Sequence, residues 1–213
     1  KVIELLKSHF YCIAIDLPGH GKTQVVGGDI GYDFIKIAIG IIQLLDSLEI
    51  DFCSIAGYSF GGRLALYLAL EFPDRFDRVI LESTSPGLAT ESDRQSRISH
   101  DREIIDRLET DNFSIFVKDW YRQSLFVGID KHSNFQRLIE RRIANNQPSS
   151  LAKSLRSAGL GMQPYLGDRL KAHPKPISLI VGELDRKFVN LNHRLDTECL
   201  NTTLQVVPNC SHN

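Results

Sequence analysis

Apolar and polar positions along the first third of the chain switch repeatedly between two periods. Residues 10–16, Phe-Tyr-Cys-Ile-Ala-Ile-Asp, form a short apolar run that ends at the turn-rich Leu17-Pro-Gly-His-Gly-Lys-Thr23. A run apolar on both faces predicts a parallel strand covered by helices. Helical spacing follows over about 32–48, and residues 51–56 predict the next strand. A second helix over 63–71 stops before Pro73, and 79–81 predict a third strand. Strand and helix alternating at short intervals predict an α/β fold built on a mostly parallel sheet.

The pattern changes after Pro86-Gly87. From 88 to 175 only helical stretches are predicted, over 102–108, 113–125, 135–145 and 151–157. Strand periodicity returns at 176–182, followed by a helix over 190–199 and a last strand over 203–207. The expected organisation is therefore a core of residues 1–87 and 176–213, interrupted by an all-helical cap of residues 88–175. Ten of the fifteen arginines fall in the cap. They read either as solvated helix faces or as a lining for an anionic ligand, and position alone leaves both open.

Composition narrows the partners. The 213 residues suit one domain, or one core carrying an insertion, and a formal net charge of −1 supplies no field for nucleic acid or an anionic membrane. The longest apolar stretch, 34–45, is interrupted by Lys36, Gly40 and Gln43, so no membrane insertion is expected. No secretory pattern opens the chain. The four cysteines form no C-x-x-C pair, and Cys12 and Cys53 fall in runs read as buried strands. A reduced, intracellular setting is expected, and no metal site is proposed because no paired Cys/His ligand set or H-E-x-x-H exists.

Chemistry concentrates at Gly57-Tyr-Ser-Phe-Gly61, where an apolar strand gives way to a helix. This is a G-x-S-x-G elbow, which holds the Ser59 hydroxyl above the sheet edge. Small residues two before and two after the serine let backbone pass closely, and the Phe60 N–H at the helix start can donate to a developing oxyanion. A serine hydroxyl needs an imidazole to take its proton and a carboxylate to orient that imidazole. Asp185 and His212 follow the last two strands in the order Ser, acid, His. Glu183 is the rival acid, read as fixing the turn because it lies closer to the strand end. His20 and His193 are read as surface or structural, and the Gly19-His-Gly21 loop as an ordinary turn.

Several further stretches carry a resemblance. Gly57-Tyr-Ser-Phe-Gly-Gly-Arg63, Leu81-Glu-Ser-Thr-Ser-Pro-Gly-Leu88, Asp119-Trp-Tyr121, the run 151–163 and Gly182-Glu-Leu-Asp-Arg-Lys-Phe188 resemble the MenH family. These are 2-succinyl-6-hydroxy-2,4-cyclohexadiene-1-carboxylate synthases of menaquinone and phylloquinone biosynthesis, α/β-hydrolase-fold lyases. The resemblance implies elimination of pyruvate from 2-succinyl-5-enolpyruvyl-6-hydroxy-3-cyclohexene-1-carboxylate, without a cofactor, in the cytoplasm or in a plastid if the source is a plant. It further implies that Arg63, Arg97 and Arg142, with Tyr58 and Trp120, bind a small polycarboxylate substrate. Arg63 and Arg97 are expected to face a cavity above Ser59.

Three departures from the family pattern stand out. No strand ending in His-Gly precedes Lys1, and the chain stops at Asn213, so it reads as a fragment lacking one oxyanion donor. Ser211 also replaces the glycine usual before the histidine. A serine esterase or carbon–carbon bond hydrolase on the same scaffold, or a binding protein that has lost turnover, are the competing functions.

Overall fold

The computed structural model describes residues 2–212; Lys1 and Asn213, the outer limits of the expected core, lie outside the described residues. Four parallel strands, β1 (Cys53–Tyr58), β2 (Phe76–Glu82), β3 (Ile177–Gly182) and β4 (Thr202–Val207), lie side by side in that order. Register pairs Tyr58 with Glu82, Glu82 with Ile180, and Gly182 with Val207, so all four carboxyl ends open along one edge. Hydrogen bonds continue past the strand ends, from Ser59 N to Glu82 O, Ser83 N to Ile180 O and Glu183 N to Val207 O, each 2.9 Å. The residues after each strand are thereby fixed as firmly as the strands themselves.

Helix α1 (Val2–Leu6) opens the chain, and α2 (Phe34–Ser47) starts where the Asp33 carboxylate accepts from the N–H groups of Ile35 and Lys36. Helix α3 (Phe60–Glu71) is buried nearly all round from Leu64 to Leu70. One side of α3 meets β1 and β2 and another meets α2, which explains its lack of a polar stripe. The main core combines α2, α3, the strands and Leu195.

Between β2 and β3 the described residues form no strand. They make α4 (Glu91–Thr110), α5 (Phe113–Trp120), α6 (Phe135–Asn145), α7 (Pro148–Ala158) and α8 (Gly167–Lys171), and α9 (Arg186–Glu198) then follows β3. A second apolar cluster holds α4 to α7 together through Ile105, Leu108, Phe116, Val117, Ile139 and Ala152. Helix α4 runs eleven residues further toward the amino end than expected. Its first turns are polar, so periodicity gave no signal, but Thr90 caps it by accepting from Asp93 N. Helix α9 also begins earlier than expected, because Asp185 itself is its N-cap.

One expected strand does not form. Residues 10–16 take no regular structure and make no ladder with another strand among the described residues, and Tyr11 is 88% exposed. Apolar side chains mark a segment able to sit in a sheet, whereas a strand exists only where a neighbour supplies backbone partners. Cys12 is consequently half-buried rather than in a core; Cys53, on edge strand β1, is also half-buried, and all four cysteines are free.

Candidate active site

The turn from β1 into α3 is strained where it presents Ser59. This residue has φ 49° and ψ −108°, a left-handed backbone that a non-glycine residue adopts only when its surroundings enforce it. Gly57 faces the backbone of Gly61 and Gly62 too closely to accept a side chain, and Gly62 is equally pressed against Thr84 and the Gly57 carbonyl. Gly61, two residues after the serine, has open space where a Cβ would stand. The close passage expected at Gly61 is therefore made by Gly62, one residue later. Phe60 occupies the first position of α3, where its N–H has no intrahelical acceptor and points with the positive helix end.

Ser59, His212 and Asp185 form one hydrogen-bonded row. Ser59 Oγ lies 3.1 Å from His212 Nε2, and His212 Nδ1 lies 2.6 Å from Asp185 Oδ2. Protonation at Nδ1 satisfies both contacts, with the imidazole donating to the carboxylate and accepting from the serine. Asp185 and His212 are 3% and 2% exposed, so water does not compete for their bond. Asp185 Oδ1 also accepts from Phe188 N at 3.4 Å, anchoring the carboxylate to α9. Glu183 is engaged elsewhere: its carboxylate accepts from Asn209 N at 2.9 Å and ties down the loop that carries the histidine.

Aromatic rings surround the imidazole. Phe188, Tyr58 and Phe126 have ring centroids 4.7, 5.3 and 6.0 Å from His212. His212 N also donates to Leu125 O, so a turn from the helical segment grips the histidine backbone. Trp120 packs between Phe116 and Phe126, one ring removed from His212. Burial, with Tyr121 and Glu82 nearby, holds the Tyr58 phenol well above its usual range and keeps it a proton donor. Glu82, at the end of β2, is also raised by burial, opposed by His212.

Arg63 and Arg97 are both half-buried and both donate to protein groups. Arg63 Nη1 donates to Gln163 Oε1 (2.8 Å) and to Ala158 O (3.2 Å), with its guanidinium 4.7 Å from the Phe60 ring centroid. Burial, then repulsion from Arg97, pushes its pKa down to about 9, and Asp101 opposes the shift. Arg97 Nε donates to the buried Asp101. Arg142 is exposed; its Nε donates to Tyr121 Oη at 3.1 Å, and it lines a cavity of ≈ 540 Å³ with His20, Lys22 and Asp16. His20 is half-buried in that wall, its ring centroid 6.0 Å from that of Phe60. His193 is exposed on α9.

Residues not singled out from sequence also belong here: Phe126, Gln163 and Asp101. Asp101 had a signal, since it stands four residues after Arg97 on one helix face. Gln163 had none, because burial of an amide depends on distant segments.

A family model described as the alpha/beta hydrolase fold matches residues 1–213. The 2-succinyl-6-hydroxy-2,4-cyclohexadiene-1-carboxylate synthase of Pectobacterium atrosepticum is 36% identical over 180 residues, 84% of this chain and 69% of that protein. Its counterpart in Serratia proteamaculans is 32% identical over 202 residues, 94% of this chain and 75% of that protein. The solved structure of MenH from S. aureus superposes with a TM-score of 0.90 at 31% identity, covering 99% of this chain and 79% of that one. Among the described residues no helix is long and apolar enough to cross a membrane. An α/β sheet ending in a serine elbow, and relatives of this similarity over most of its length, place the chain in the 2-succinyl-6-hydroxy-2,4-cyclohexadiene-1-carboxylate synthase family of α/β-hydrolase-fold enzymes.

Proposed function

We propose that the protein is a carbon–oxygen lyase that eliminates pyruvate from 2-succinyl-5-enolpyruvyl-6-hydroxy-3-cyclohexene-1-carboxylate, leaving 2-succinyl-6-hydroxy-2,4-cyclohexadiene-1-carboxylate. Ser59, His212 and Asp185 are its catalytic residues. The observation that carries the reading is their unbroken row of hydrogen bonds at the strand ends, with two half-buried arginines, Arg63 and Arg97, fixed by protein contacts.

His212 Nε2 accepts the Ser59 proton as Ser59 Oγ removes the ring proton next to the succinyl carbonyl. The electron pair of the broken C–H bond enters the ring, and negative charge reaches the carbonyl oxygen, where the Phe60 N–H and the start of α3 stabilise it. The charge then returns to form the 2,3 ring double bond, the existing 3,4 double-bond pair shifts to the 4,5 position, and the C5–O bond to the enolpyruvyl group breaks with its electron pair leaving on oxygen. The leaving enolate takes a proton from the His212 imidazolium and tautomerises to pyruvate. Asp185 orients the imidazole and stabilises its charged form throughout.

Helices 88–175 act as a cap over the strand ends. Arg63, Arg97 and Arg142, with Tyr58 and Trp120, bind the carboxylates and ring of the substrate. Guanidinium groups suit this because they hold carboxylates in a bidentate way. The compartment is the cytoplasm, or a plastid if the source is a plant.

The test measures pyruvate release from the cyclohexene substrate, coupled to NADH oxidation by lactate dehydrogenase, beside hydrolysis of a neutral p-nitrophenyl ester. Pyruvate release abolished by Ser59→Ala supports the lyase. Ester turnover without pyruvate release makes the protein a serine hydrolase instead, and activity on neither substrate favours a binding protein.

A further inference from the structure

One carboxylate in the wall shared by α4 and α7 takes no part in the steps above. Asp101 is 4% exposed, and its Oδ1 accepts from Arg97 Nε at 2.7 Å. Its other oxygen lies against Gly159, where an added Cβ would fall 2.7 Å from Oδ2 and 2.6 Å from the Leu155 carbonyl. The preceding residue, Ala158, offers its carbonyl to the Arg63 guanidinium. Arg63 from α3, the end of α7 and the Arg97–Asp101 pair of α4 therefore meet at one place.

The arrangement solves an electrostatic problem. Two guanidinium groups close enough to repel each other will splay apart unless a fixed negative charge offsets the repulsion. A carboxylate buried among them does so without needing to move, but only where no side chain fills the space at residue 159. Arg97 spends Nε on this contact, and its two Nη groups have no partner among the described residues. Its outer face is thus left for a second carboxylate.

We infer that Asp101, seated against Gly159, is a positioning residue that holds Arg97 beside Arg63 so that the two receive a carboxylate of the substrate. The inference rests on the lyase reading for the identity of that substrate, but not for the charge it carries. Asp101 acts through Arg97 and Arg63, and touches no reacting atom.

The test uses Asp101→Asn, Asp101→Glu and Gly159→Ala in the purified chain. Each is measured for kcat and KM on the cyclohexene substrate, and by calorimetric titration with propane-1,2,3-tricarboxylate. Asp101→Asn should raise KM about tenfold, the loss expected when one charge-assisted contact is removed, with kcat changed less than about twofold. Gly159→Ala should act in the same direction by displacing the carboxylate. Because Asp101 helps keep Arg63 charged, Asp101→Asn should also move the alkaline rise of KM to lower pH, and Asp101→Glu should restore that limb without restoring full affinity. An unchanged KM, or kcat and KM altered only in step with the folded fraction seen by circular dichroism, would overturn the inference. If Asp101→Asn fails to fold, Asp101→Glu decides, since an unchanged KM in that variant is equally fatal. Should the wild type release no pyruvate, the lyase reading fails alone. The titration still judges Asp101: weaker tricarboxylate binding by its variants supports the inference, whereas equal binding, or none by the wild type, ends it.

Discussion

Asp185→Asn separates the role of charge from that of shape at the buried end of the Ser59–His212–Asp185 row. The side chain now accepts two hydrogen bonds, from Phe188 N through Oδ1 and from His212 Nδ1 through Oδ2. An amide of the same shape can satisfy only one of them. If its oxygen keeps the α9 cap, its NH2 group faces Nδ1, which must then accept. The imidazole proton moves to Nε2, and Ser59 meets a donor where it needs an acceptor. If the amide turns over, the cap is lost at about 1 kcal/mol and the charge that stabilises an imidazolium is still missing. Loss of the equivalent charge in a serine–histidine–aspartate row costs about 10⁴ in kcat. At 1.36 kcal/mol per tenfold, that is ~5.4 kcal/mol of transition-state stabilisation. Stability should fall by no more than about the capping energy. The assay is steady-state pyruvate release with thermal unfolding in parallel, and Glu183→Gln as comparator. Glu183 holds only Asn209 N, and glutamine retains an acceptor there, so kcat should stay within about threefold of wild type. Full activity in Asp185→Asn, or an equal collapse in Glu183→Gln, would refute the assignment of the acid.

Three other outcomes follow from the same geometry. Gly62→Ala should abolish activity and lower the unfolding midpoint, because its Cβ collides with Thr84 and the Gly57 carbonyl, whereas Gly61→Ala meets open space and should keep the fold; kcat with circular dichroism distinguishes them. Arg63→Ala should lower kcat/KM for the cyclohexene substrate about ten- to a hundredfold while sparing a neutral ester, and Arg63→Lys should recover only part of the loss. Since burial and Arg97 push the Arg63 pKa down to about 9, its charged form is lost as pH rises through that value, so the wild-type KM should climb between pH 8 and 10; a flat profile would contradict this.

The primary sequence determined the parts of this protein whose cause is local. A glycine-flanked serine between an apolar strand and a helix is legible because the turn itself demands those residues. The switch to helices after Pro86-Gly87 and the return of strand periodicity at 176 are legible because side-chain period reports backbone type. Tertiary structure decided everything that depends on what stands opposite. Residues 10–16 look like a strand yet make no ladder among the described residues, since an apolar pattern records a face to be covered and not the neighbour that covers it. Gly62 rather than Gly61 takes the close contact at the elbow, because Thr84 arrives from another strand end. Of two carboxylates two residues apart, Asp185 meets His212 and Glu183 meets Asn209, a choice made by the path of the loop after β4. Asp101 and Gln163 are polar residues buried by segments remote in sequence, and their value lies in the arginines they hold. Local propensity and periodicity act within a few residues, whereas the burial of a charge and the partner that makes it tolerable are properties of the assembled chain.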